Sequence, residues 1–145
     1  MKCPKSLFVL CLILSTACAQ AIRMEDVRMI DAIPKVSYIT YVYSSGSDNK
    51  YRAVFLKSPE SDLEVVPFSS NIMMTKGSFD DAMTFMRHGA GYRNVDVQSV
   101  LYKGKTIGYL LTQPRYVLGK EEIEPELYER AGKIYFSVSE RFYDD

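Results

Sequence analysis

Nucleophilic catalysis needs a base beside the nucleophile, and beyond residue 21 the sequence offers one histidine, His88, and no cysteine. A cysteine–histidine pair is excluded there. A serine triad would have to run through His88, and no G-x-S-x-G elbow presents a serine to it. Beside Arg87 in the last turn of an expected helix, His88 reads more simply as a cation for the terminal carbonyls. Two glycine runs imitate phosphate-binding motifs and fail on spacing. Gly104-Lys105-Thr106 ends like a phosphate loop, but Ser99 stands where the first glycine belongs. Gly89-Ala90-Gly91 opens like a dinucleotide fingerprint, yet Asn94 replaces its third glycine and the run ends a helix instead of starting one.

Soft ligands are more plentiful. Met83 and Met86 lie one helical turn apart, Met73 and Met74 lie upstream and His88 follows, a set of the kind that holds Cu(I). With Phe79 and Ala82, however, the same spacing describes an apolar helix face, and core packing is the simpler reading. Glu121, Glu122, Glu124, Glu126 and Glu129 lack the glycine-bearing loop that wraps Ca²⁺. A carboxylate acid/base pair for a small hydrolase stays open on residue type alone, since no pattern here buries two carboxylates together. No cofactor is expected.

Charge is more informative about binding. From Arg87 to Lys120 six basic residues face only Asp96, a net of +5, and from Glu121 to Asp145 three face eight acidic ones, a net of −5. Within the first stretch a hairpin carries Arg93, Lys103 and Lys105 near its ends and Tyr102 and Tyr109 along it. These five residues are the candidate binding surface, and an acidic protein partner is the expected complement.

The elements that must position them follow from periodicity and punctuation. A helix is expected from Ser78 to His88. Ser78 caps it, Asp80 and Asp81 sit at its positive end, Gly89 stops it, and Phe79, Ala82, Met83 and Met86 form one apolar face. Val36 to Tyr43 and Tyr51 to Lys57 read as a hairpin, with a third strand at Leu63 to Phe68. Val95 to Tyr102 pairs with Thr106 to Gln113 through Lys103-Gly104-Lys105, and Ile123 to Glu129 pairs with Ile134 to Phe142 around Ala131-Gly132-Lys133. Pro125 marks an edge or bulged strand, because proline cannot donate to a ladder. The sum is an α+β fold, one mostly antiparallel twisted sheet of about six or seven strands with one packed helix.

Residues 1–21 read as a cleavable signal. Lys2 and Lys5 precede an apolar run, Leu7 to Leu14, and Ala19 and Ala21 end two small-residue cleavage sites. Eight apolar residues are too few to span a bilayer, which takes about 20. Lipidation of Cys18 is the lesser alternative, since Ser15 occupies the position where a lipobox wants a branched apolar residue. Cleavage removes Cys3, Cys11 and Cys18, so the mature chain is cysteine-free, at 16 basic against 18 acidic residues. Net −2 disfavours a nucleic-acid binder. Residues 22–35 form an arm or short amphipathic helix, and 36–145 a single domain, long enough for one core. The expected role is a periplasmic or secreted non-enzymatic binding or assembly module, an inhibitor or accessory factor of an envelope complex, with no membrane span.

Overall fold

The structure, a computed structural model, describes residues 22–44, 51–87, 95–113, 116–118 and 121–142, with backbone alone at 116–118, 121–123 and 140–142. The expected signal, with Cys18, Ala19 and Ala21, lies outside the described residues, as do His88, Gly89 and Arg93. Among the described residues, ten strands and one α-helix follow in chain order. They are β1 (Arg23–Asp26), β2 (Ser37–Ser44), β3 (Arg52–Lys57), β4 (Val65–Pro67), β5 (Ile72–Ser78), α1 (Phe79–Arg87), β6 (Asp96–Tyr102), β7 (Lys105–Thr112), β8 (Tyr116–Leu118), β9 (Glu121–Arg130) and β10 (Lys133–Phe142). The α+β class, the dominant antiparallel pairing and the single packed helix are all present.

The strands divide between two sheets. A six-stranded sheet, entirely antiparallel, runs β1-β6-β7-β3-β2-β5, and a four-stranded one runs β4-β10-β9-β8. Only β4 is parallel to its neighbour, β10. Strands β2 and β3 are apolar on both faces because both faces are covered. Tyr41, Phe55, Val100 and Leu110 face the small sheet, where they meet Leu127, Ile134 and Phe136. Tyr38, Val54, Leu56 and Leu111 point the other way, against Phe79, Met83 and Met86 of α1. The result is three layers: helix, large sheet, small sheet.

The expected single sheet is two, because β4 pairs with β10 and not with the large sheet, and three segments depart from the expectation, the short β8 (Tyr116–Leu118) among them. Residues 22–35 hold neither an amphipathic α-helix nor a free arm: Arg23–Asp26 pairs with β6 as an edge strand, and Ile30–Ala32 makes one 3₁₀ turn. Four residues are too few for alternation to announce a strand. Strand β5 was not expected at all, since Met, Lys and Gly are weak strand formers; it forms because β2 offers a seven-residue ladder from Ser37 to Tyr43.

Turn chemistry sets both late hairpins. Lys103 and Gly104, then Ala131 and Gly132, take consecutive positive φ values of 52° and 76°, and 52° and 79°. That is the type I′ geometry whose twist matches the flanking strands. In β7 an extra residue, Ile107, is inserted where the register slips between Val100 and Leu101. This bulge turns Ile107 toward the small sheet beside Leu110. Strand β9 is neither an edge strand nor bulged at Pro125: it lies between β10 and β8, in unbroken register with β10. Ile134 and Phe136 exchange main-chain bonds with the β4 side, so by alternation Pro125, opposite Val138, turns its nitrogen away from β10 and past the end of β8.

The helix is pinned at both ends. The Asp81 N–H donates to Ser78 Oγ at 3.1 Å and the Ser78 N–H donates to Asp81 Oδ2 at 3.0 Å, a reciprocal capping box. At the other end Arg52 Nη1 donates to the Phe85 carbonyl at 2.6 Å, with the guanidinium 4.3 Å above the Phe85 ring. The Ser78 N–H, then its hydroxyl, hold the Asp81 carboxyl below its usual range. Stability tied to Asp81 is therefore present above about pH 4 and is lost as pH falls through the lowered folded value. Ser78→Ala is expected to cost about 1 kcal/mol in urea unfolding. Asp81→Asn should flatten the acid side of the melting midpoint plotted against pH. If neither variant differs from the parent, the capping box contributes nothing.

Candidate interaction surface

Of the five residues singled out for binding, three converge. Tyr102 ends β6 on the small-sheet face, only 8 % exposed, and the Lys103 ammonium lies 5.3 Å from its ring centroid at the hairpin tip. Lys103 and Lys105 line one side of an open cleft of about 570 Å³, and Glu60 and Asp62 from the loop after β3 line the other. The expectation that Asp96 alone offsets the hairpin's cations does not hold, because a loop distant in sequence brings two more carboxylates to them. Tyr109 lies elsewhere. It pairs with Ser99, so its side chain takes the helix face, where its ring meets Tyr38 edge-on at 6.2 Å. The two-residue repeat of a strand forbids Tyr102 and Tyr109 from sharing a surface.

The methionines do not form one ligand set. Met83 and Met86 are buried beneath α1, whereas Met73 and Met74 stand exposed on β5. Among the described residues, no group of three or more His, Cys, Asp or Glu side chains is placed to hold a metal ion. Glu124 and Glu126, from the acidic run, are exposed on the outer face of the small sheet. Burial pushes the phenols of Tyr38, Tyr41, Tyr51 and Tyr109 up, so they stay protonated as packing groups.

Two surfaces were not anticipated from the sequence. On the outer face of the small sheet Tyr128 and Tyr135 stack at 5.2 Å, and Phe68 meets both rings edge-on at 6.4 and 6.1 Å. Three segments build this cluster, so no single stretch of sequence displays it.

The second is the β5 edge of the large sheet. Met73 is 69 % exposed and Met74 67 %. The Ile72 N–H bonds Ser69 O and the Ser78 N–H bonds Asp81, both away from β2, so by alternation Met74 and Lys76 turn their N–H and C=O to the open side. The other described edges are blunted: β1 is four residues with three charges, β4 is three residues ending in Pro67, and β8 is three residues. Strand β5 has seven residues, no proline, no bulge and one charge, Lys76.

No described helix is long and apolar enough to cross a membrane. Compared with protein-family models, with curated proteins and with solved structures, the chain matches none.

Proposed function

We propose that the protein is an exported, non-enzymatic binding and assembly module, periplasmic or secreted, that engages its partner by extending the six-stranded sheet at β5. The basic, apolar, small-residue order of residues 1–21 supports export. The observation that carries the binding reading is the undefended β5 edge, seven residues long with two exposed methionines and the main-chain groups of Met74 and Lys76 turned outward. Strand addition draws affinity from such main-chain bonds and specificity from the side chains on either face. An acidic partner at Lys103 and Lys105 is the competing reading, favoured by their place at a hairpin tip and opposed by Glu60 and Asp62 across the cleft.

A photoreactive side chain placed at position 74 or at position 103 in the chain, expressed in its own host, separates the two. Adducts are expected from position 74, at equal yield when Lys103 and Lys105 are both reversed to Glu. Adducts from position 103 alone, abolished by that double reversal and weakened by salt, would transfer the site to the hairpin.

A further inference from the structure

We propose that the occupant of the β5 edge is a second copy of this chain, paired antiparallel about a two-fold axis through Thr75, with Met73 of each copy seated beside Gly77 of the other. The inference rests on the strand-addition reading and names its partner.

Register follows from which main-chain groups are open. Met74 and Lys76 face the edge, so a two-fold pair must set these residues against Met74 and Lys76 of the second copy. Three registers make at least one such pair. Centring on Lys76 opposes two like charges, which is unfavourable. Centring on Met74 leaves Gly77 and Ser78 beyond the partner strand. Centring on Thr75, the midpoint of Ile72–Ser78, pairs all seven residues, sets each Lys76 against the partner's Met74 and joins the two large sheets into one. In that register Met73 stands directly opposite the partner's Gly77.

A pocket waits at that position. Thr75 and Gly77 form the outer lip of a cavity of about 140 Å³ between the large sheet and α1, floored by Thr40 and Val54 and walled by Ala82 and Phe85. The Thr40 hydroxyl, in a residue 4 % exposed, has no hydrogen-bond partner among the described residues. A buried unpaired hydroxyl is costly, and native chains rarely leave one without a use. Met73 shares the helix face of β5 with Thr75 and Gly77, and directly opposed side chains in an antiparallel pair lie about 5 Å apart. With no side chain at Gly77, the way to the cavity is open; a Cβ there would stand 3.8 Å from Thr40 Oγ1 and 3.6 Å from Asp81 Cβ. A seated thioether covers the apolar walls and offers the Thr40 hydroxyl a weak acceptor. The exposed methionine and the orphaned hydroxyl thus answer each other across the two-fold axis.

Sedimentation of the purified protein alone tests the pairing, and single cysteines test the register. The parent chain should be a dimer at tens of micromolar. Met73→Glu should weaken it by about a hundredfold or more while leaving the circular dichroism spectrum unchanged, because the carboxylate would be desolvated against apolar walls beside Asp81, with only the Thr40 hydroxyl to answer it. Thr75→Cys should oxidise to a covalent dimer, since the two positions meet at the axis, whereas Met73→Cys should not, its two copies being about 13 Å apart by strand rise. The parent chain, oxidised in parallel, controls for Cys3, Cys11 and Cys18. A monomeric parent, a Met73→Glu chain that dimerises as the parent does, or faster coupling through Met73→Cys than through Thr75→Cys overturns the inference. Strand addition itself survives any of these if position 74 yields an adduct with another protein, and fails if position 74 yields no adduct of any kind.

Discussion

Gly108→Ala should cost the protein about 3 kcal/mol or more, at or beyond the upper end of ordinary overpacking. A Cβ at Gly108 would fall 2.0 Å from the Leu56 carbonyl oxygen and 3.0 Å from both Leu56 C and Phe55 Cε1. Two of these three atoms are backbone, so no rotamer change relieves the contact. Gly108 pairs with Lys57 beside the Ile107 bulge, where β7 bends around β3. The strands must part there, and β3 and β7 are both central in the large sheet. Urea unfolding should show the loss, and hydrogen exchange should show it concentrated in those two strands. The matched control is Gly77→Ala, whose Cβ meets nothing closer than 3.6 Å and which should leave the folded chain nearly as stable as before. Equal stability of the two variants would mean that β3 and β7 do not approach as described.

Phe136→Ala should cost about 3–5 kcal/mol, the usual range for an aromatic side chain removed from a packed core. Phe136 is fully buried, and its ring lies 6.1 Å from that of Phe55 across the boundary between the sheets. A typical domain has only about 5–15 kcal/mol in total, so this one truncation consumes a large share. Tyr135, one residue earlier, points to the outer face and stacks on Tyr128. Tyr135→Ala should therefore cost about 1 kcal/mol, the worth of a partly exposed aromatic pair. Denaturant midpoints for the two variants measure the two-layer packing directly. If Tyr135→Ala is the more damaging, the inner and outer faces of β10 have been exchanged.

Local physics made much of the fold legible in advance. The helix was readable because its signals agree: an N-cap serine, acidic residues in the first turn, and apolar residues at helical spacing. The late hairpins were readable from glycine, since a type I′ turn needs positive φ and Gly104 and Gly132 supply it. Strand β5 was not, because MMTKG carries neither β-branched density nor alternation, and its state is decided by the open ladder of β2. The candidate site suffered from the same limit. Lys103 and Lys105 were visible as cations, but Glu60 and Asp62 reach their cleft through a loop some 40 residues earlier, and charge counted along the chain does not register neighbours across it.

By itself, then, the sequence determined the local elements: where a backbone must turn, which helical face is apolar, which strands pair through short loops. It also determined which residue types are missing beyond residue 21, cysteine and a second histidine among them, because composition is a one-dimensional fact. Tertiary structure alone decided that the strands divide into two sheets, since β4 returns to pair with β10 some 70 residues later. It alone left β5 at an edge with its methionines exposed, and set an unpaired Thr40 hydroxyl beside a glycine on that edge. Edges, pockets and orphaned groups are properties of what is missing beside a residue, and that is set by how distant segments pack.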